Sequence, residues 1–130
     1  MKKYGCKIYC GFLNENDNVV KIGRTVKTCY ARCKNTDYTI HQAALFFKIE
    51  YDVYIAIENE LRKMYKKLYN LYDGNEYFMT KCQHMLPSQR RQVLLDQWYL
   101  LLKDILLYKF NLKQNEDYVI LRGKVSPFSY

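Results

Sequence analysis

Apolar positions alternate in short runs over the first half of the chain and crowd into one long helical run later. Residues 7–13 place Ile8, Cys10 and Phe12 on one side and Tyr9 on the other, which predicts a strand with one buried face. The polar cluster Asn14-Glu15-Asn16-Asp17 predicts a turn and 18–23 the returning strand, so the chain opens with a β-hairpin. Thr28 stands where an N-cap belongs, ahead of a short helix reaching about residue 35. Residues 42–51, apolar and aromatic, predict a third strand of the same sheet. Asp52 then caps a helix running to about residue 69, with Val53, Ile57, Leu61, Met64 and Leu68 as its core stripe. Asp73-Gly74-Asn75 breaks the chain before a short extended piece over 76–79.

Pro87-Ser88 predicts another helix start, and the helix runs to about Phe110. Its apolar residues, among them Val93, Leu94, Trp98, Leu101, Leu102, Ile105 and Leu107, cover an arc too wide for one buried side. Such a helix is either sandwiched within the domain or packed on a second chain, which points to a homodimer or a partner protein through residues 87–110. Residues 111–130 add one short strand, Tyr118–Leu121. The expected architecture is α+β and sandwich-like: a small three-stranded antiparallel sheet flanked by helices, with a long C-terminal helix. Residues 1–85 form the main unit, and 86–130 a helical extension packing on the same domain.

At 130 residues the chain can bury a core without disulfides or metal. With 21 Lys and Arg against 13 acids, its formal charge is 21 − 13 = +8 and its pI is near 9.2, a balance that points to a polyanion as partner. Fourteen tyrosines suit a stacking or hydrogen-bonding surface, although the codon bias of AT-rich genomes accounts for most of them. The longest strongly apolar stretch, 98–102, falls far short of the ~20 residues that span a bilayer, and no signal-peptide pattern follows Met1. Membrane and export are therefore not expected. The five cysteines, Cys6, Cys10, Cys29, Cys33 and Cys82, form an odd set without CxxC spacing. That pattern predicts free thiols in a reducing compartment, inside a cell, in the cytoplasm or nucleus of a host.

The stretches that carry chemistry are Lys7-Ile8-Tyr9, then Lys21-Ile22-Gly23-Arg24-Thr25, then Arg32. Glu58-Asn59-Glu60-Leu61 and Gly74-Asn75-Glu76-Tyr77-Phe78 follow. Taken singly, each has an ordinary structural explanation. Tyr9 serves as a strand aromatic and Gly23 ends a strand. Arg24 and Arg32 serve as solvated charges, and Glu58 with Arg62 as an i,i+4 surface pair worth ~0.3–0.5 kcal/mol. In this order and spacing, however, they resemble the GIY-YIG endonuclease superfamily, and in particular its phage and large-virus branch, whose second motif reads KIGRT. The resemblance covers roughly residues 4–80.

The resemblance implies a metal-dependent endonuclease that hydrolyses DNA. Tyr9 matches the GIY tyrosine, which helps activate the attacking water, and Gly23 the glycine of YIG. Lys21 takes the place of the YIG tyrosine, as is usual in this branch, and Lys7 replaces the GIY glycine. Arg32 matches the helix arginine that clamps the phosphate, although it lies one residue later than the common spacing. Arg24 is an additional basic group. Glu58 matches the glutamate that holds a divalent metal, Mg²⁺ or Mn²⁺, and Asn75 lies near the family's late asparagine.

Phosphodiester hydrolysis needs an in-line water, a charge clamp on the phosphate and help for the leaving oxygen, which a divalent cation with an arginine supplies. Mg²⁺ keeps several of its waters, so a single carboxylate suffices. A tyrosine base has an ordinary pKa near ~10 and needs cations around it. Lys21, Arg24 and Arg32 are the available ones, and Lys21 must share a sheet face with Tyr9, opposite Ile8 and Ile22. The alternative is a silent GIY-YIG-like fold acting as a basic nucleic-acid-binding or protein-interaction module. The two differ in whether Tyr9, Arg32 and Glu58 converge.

Overall fold

The computed structural model describes residues 5–74 and 76–122. The chain opens with the predicted hairpin, β1 (Cys6–Leu13) and β2 (Asn16–Thr25), followed by α1 (Cys29–Cys33) and β3 (Tyr38–Phe46). Next come α2 (Tyr51–Leu68), β4 (Asn70–Asp73), β5 (Tyr77–Met79), α3 (Pro87–Phe110) and β6 (Tyr118–Leu121). The strands form one six-stranded sheet in the order β4-β5-β2-β1-β3-β6, and every neighbouring pair runs antiparallel. This corrects the small three-stranded sheet expected from the sequence, while the class remains α+β. The additional strands β4, β5 and β6 have only three or four residues each. Runs that short carry almost no period-2 signal, and their pairing is decided by the long strands beside them.

One face of the sheet carries most of the core. Ile8, Cys10, Phe12, Val20, Ile22, Ala44 and Phe46 point there and pack on Tyr54, Ile57, Leu61 and Tyr65 of α2. Leu94, Trp98, Leu102 and Leu106 of α3 join the same cluster. Segments on both sides of residue 85 therefore share one core, and β6 extends the sheet rather than standing apart from it. The helix at 51–68 begins after Glu50, not with Asp52 as its cap. Its buried stripe is rotated from the expected one: Tyr54, Ile57, Leu61 and Tyr65 are covered, whereas Leu68 is exposed. Tyrosine supplies the ring area, so a stripe counted on aliphatic residues alone is drawn too far round.

The opposite face carries a smaller cluster of Tyr9, Cys29, Tyr38, Ile40, Ala43 and Leu45, covered in part by α1. Thr28 caps α1 as expected, its hydroxyl accepting from the Ala31 amide at 3.1 Å. A bulge decides which residues reach this face. Cys10 pairs with Gln42 but Gly11 pairs with Ile40, leaving His41 as the extra residue. Without it, Tyr38 would share a face with Ala44 and Phe46; with it, Tyr38 crosses to the side of Tyr9. Gly11 permits the bulge, because a Cβ there would press into the Thr39 carbonyl oxygen, closer than real Cβ contacts come. The third strand also starts at Tyr38, four residues before the expected position.

Candidate active site at the edge of the second strand

Tyr9 and Lys21 share the α1 face, opposite Ile8 and Ile22, because Tyr9 pairs with Gly23 and Gly11 with Lys21. Tyr9 is fully buried, and its ring lies flat over Gly23. A Cβ on Gly23 would stand within 3.0 Å of Oη, Cζ and Cε1 of that ring. The motif glycine is thus the seat of the motif tyrosine, a requirement of space rather than of backbone angle. The Tyr9 ring stacks on Tyr38, with centroids 5.9 Å apart and planes within 5°. The two hydroxyls share a 3.0 Å hydrogen bond, and Tyr38 donates to the Arg32 carbonyl at 3.4 Å.

The cations on this face gather around Tyr38. The Lys21 ammonium is 5.3 Å from its ring and 4.7 Å from that of Tyr77, and is paired with the Glu76 carboxylate. The Arg32 guanidinium is 5.9 Å from the Tyr38 ring. Lys21 and Arg32 thus meet Tyr9 by way of Tyr38. The expected cationic lowering of the Tyr9 pKa is corrected here. Burial of the hydroxyl, together with its bond to Tyr38, pushes the pKa well above the ordinary tyrosine value, and the opposing pull of Arg32 is too small to reverse it.

Arg24 and Glu58 occupy the other face. Arg24 pairs with Ile8 across the hairpin and so points toward α2, where its guanidinium meets Glu58. Glu58 has no exposed surface, and its Oε1 also accepts Arg62 at 3.1 Å. The expected surface pair of Glu58 and Arg62 is therefore a buried carboxylate between two arginines, a different energetic object. Burial of the Arg24 guanidinium works against its charge, but Glu58 and Tyr51 outweigh it and its pKa is raised. Glu58 Oε2 is buried and has no hydrogen-bond partner.

The five residues chosen from sequence therefore do not form one cluster. Tyr9, Lys21 and Arg32 lie on one face and Arg24 with Glu58 on the other. The link between them is β2 itself, where Gly23 lies against Tyr9 and the adjacent Arg24 meets Glu58. There β5 pairs with Val19, Val20 and Lys21, and the last backbone bond runs from the Ile22 amide to the Glu76 carbonyl at 2.9 Å. Gly23, Arg24 and Thr25 extend past the end of that neighbour, so the Tyr9 hydroxyl and the Glu58 carboxylate bracket Gly23-Arg24 from opposite sides. A cleft of about 260 Å³ lined by Arg62, Asp73, Gly74, Glu76 and Tyr77 opens beside them. Asn75 lies outside the described residues.

Among the described residues no group of three or more His, Cys, Asp or Glu could hold a metal. What fits a hard divalent cation is the orphaned Oε2 of Glu58, a single carboxylate oxygen with its lone pairs unused. Tyr38 escaped sequence reasoning because only the bulge brings it here, and Gly11 inside a strand was the one available signal. Arg62 was visible, but as a surface residue.

No helix among the described residues is long and apolar enough to cross a membrane. All five cysteines are unpaired. Compared with known proteins, the chain matches no family model, no curated protein and no solved structure.

Proposed function

We propose that the chain is a GIY-YIG-type endonuclease, hydrolysing DNA phosphodiester bonds with activated water and a divalent metal, Mg²⁺ or Mn²⁺, inside the cell. The observation that carries this reading is the bracketing of Gly23-Arg24 by a buried tyrosine hydroxyl and a buried carboxylate with one free oxygen. Glu58 is the residue that holds the metal, which when bound supplies positive charge to the phosphate and the leaving oxygen. Arg24 and Arg62 pair with Glu58, and Arg62 presents a cation at the cleft, while Arg32 clamps the phosphate from the α1 side. Tyr9 orients the water by accepting a hydrogen bond from it, and it takes the water's proton only as the phenolate, after its own proton has left to solvent, with Tyr38 donating a hydrogen bond to that phenolate oxygen. The five free thiols accord with a reducing compartment.

Two observations favour the second reading, a silent fold that binds nucleic acid or protein. Tyr9 and Arg32 lie on the opposite face of the sheet from Glu58, so the three do not converge. The Tyr9 hydroxyl is closed on Tyr38 and its pKa is raised, which opposes its use as a base. Cleavage of plasmid and oligonucleotide DNA, with Mg²⁺ or Mn²⁺ and with EDTA, separates the two. Glu58→Gln keeps the volume and the Arg24 contact, so it is expected to abolish metal-dependent cleavage while the protein stays folded. Cutting at the parental rate by Glu58→Gln removes the metal role of Glu58. DNA binding by the parent without cleavage under either metal establishes the second reading.

The proposed contact through residues 87–110 reduces to Val93, Leu100 and Leu107, exposed at seven-residue spacing on α3, with the exposed Tyr108 beside Leu107 in sequence. A monomer by light scattering at every concentration, with no partner recovered, removes it.

A further inference from the structure

The first residue of α2 is an aromatic that the proposed chemistry leaves unused. Tyr51 opens α2 and is 63% exposed, although its ring is large enough to have served the core. It rests edge-on against Tyr54, with centroids 6.1 Å apart and planes at 63°. Tyr54 is a firm support: it is fully buried and its hydroxyl donates to the carbonyls of Lys7, at 2.6 Å, and Thr25, at 3.1 Å. Tyr51 lies near enough to the Arg24 guanidinium, the group that meets Glu58, to add to Glu58 in raising its pKa. A largely exposed ring thus stands at the start of α2, near the arginine that meets Glu58.

From this placement, and resting on the nucleic-acid reading of the site, we infer that Tyr51 is a stacking platform for an unpaired base. The preferred DNA is then single-stranded or frayed at the point of contact. In a continuous duplex each base face is covered by its neighbours, so an exposed tyrosine finds no ring to meet. An unpaired nucleotide offers a bare face one backbone step from its phosphate, which matches an aromatic set beside an arginine.

The test is fluorescence anisotropy of labelled oligo-dT, the matching duplex and oligo-U, in EDTA so that nothing is cut. The parent is expected to hold oligo-dT more tightly than the duplex. Tyr51→Ala should weaken oligo-dT binding by about 5- to 100-fold, the range of one lost base–aromatic stack, and change duplex binding little. Tyr51→Phe should bind as the parent does, and the salt dependence should keep its slope because phosphate contacts remain. Equal losses on both DNAs, no loss, failure of Tyr51→Phe, or no DNA binding by the parent overturns the inference. Tighter Tyr51-dependent binding of oligo-U assigns the platform to RNA and overturns the choice of DNA. Cleavage is scored separately. A parent that cuts DNA while Tyr51→Ala binds oligo-dT normally keeps the nuclease and loses the platform. One that never cuts but shows Tyr51-dependent binding keeps the platform and loses the nuclease.

Discussion

The two faces of the sheet bury polar groups in opposite ways. On the α2 and α3 face, Glu58 is buried as a charge and is met by Arg24 and Arg62. On the α1 face, Tyr9 is buried as a neutral hydroxyl and is met by another hydroxyl, that of Tyr38. A buried charge must be compensated by opposite charge, and two arginines on Oε1 still leave Oε2 free. A buried neutral group needs only one well-placed partner, and gaining it makes ionisation harder. One side of the β2 edge is therefore built to hold charge, the other to hold a proton.

The sharpest way to break that contrast is Tyr9→Phe. It keeps the ring over Gly23 and removes only the oxygen. If the proton-holding side takes part in turnover, single-turnover cleavage should fall by ~10²–10⁴-fold. Stability should change by only ~1 kcal/mol, the worth of one hydrogen bond. Near-parental cleavage would reduce Tyr9 to a strand aromatic. The same measurement on Lys21→Ala and Lys21→Tyr, as pH–rate profiles, asks whether the lysine acts on Tyr9 through Tyr38. Alanine should displace the profile to higher pH, and tyrosine should be better tolerated.

Next in size is the response to alkali. Tyr9, Tyr38, Tyr54 and Tyr65 all have raised pKa values, chiefly from burial, and Tyr77 and Tyr118 are pushed up to about 12 by the same cause. Unfolded tyrosines lose their protons near ~10, whereas these keep theirs while the protein is folded. Below pH ~10 both states are protonated and the stabilisation is complete. Above it the unfolded state binds fewer protons, so stability falls as pH rises toward the folded values. Urea midpoints followed from neutral pH to about 11 should drop beyond ~10, and less steeply in a Tyr9→Phe/Tyr38→Phe double variant. A flat profile would show these hydroxyls to be open to water.

A smaller effect probes the seat of Tyr9. Gly23→Ala places a methyl within 3.0 Å of the ring and should cost ~1–3 kcal/mol, the usual range for overpacking. Combined with Tyr9→Leu, which removes the ring atoms concerned, the alanine should cost much less. A double-mutant cycle in denaturant reads the coupling directly, and additive costs would separate Gly23 from Tyr9.

What was legible in the sequence follows from how locally each feature is determined. The hairpin, α2 and α3 declared themselves, because alternation and helical spacing over many residues outweigh local exceptions. Tyr9, Lys21 and their shared face followed from the hairpin pattern with an even pairing sum. Arg24 could not be assigned from its motif, since adjacent Gly23 and Arg24 necessarily point to opposite faces. Tyr38 depended on a bulge at His41 that inverts the parity of β3. The extended pieces at 76–79 and 118–121 were legible, but β4 and the places of all three short strands in the sheet depended on partners far away in sequence. The i,i+4 spacing of Glu58 and Arg62 suggests by itself a surface pair, and only the resemblance marks Glu58 as a metal-holding acid. Only the fold shows that Arg24 arrives from the hairpin and closes over it.

The smallest prediction applies the same contrast within one helix. Tyr54 and Tyr65 are both fully buried on α2, but only Tyr54 has partners, the Lys7 and Thr25 carbonyls. The Tyr65 hydroxyl is buried with no hydrogen bond, packed beside Phe78 with centroids 5.5 Å apart. Burying an unsatisfied hydroxyl costs ~1–3 kcal/mol, whereas a satisfied one contributes ~1 kcal/mol. Tyr65→Phe should therefore raise the urea midpoint, and Tyr54→Phe should lower it, although the chemical change is identical. Tyr54→Phe carries the further consequence of loosening the support under Tyr51. If both substitutions destabilise alike, the Tyr65 oxygen has a partner after all.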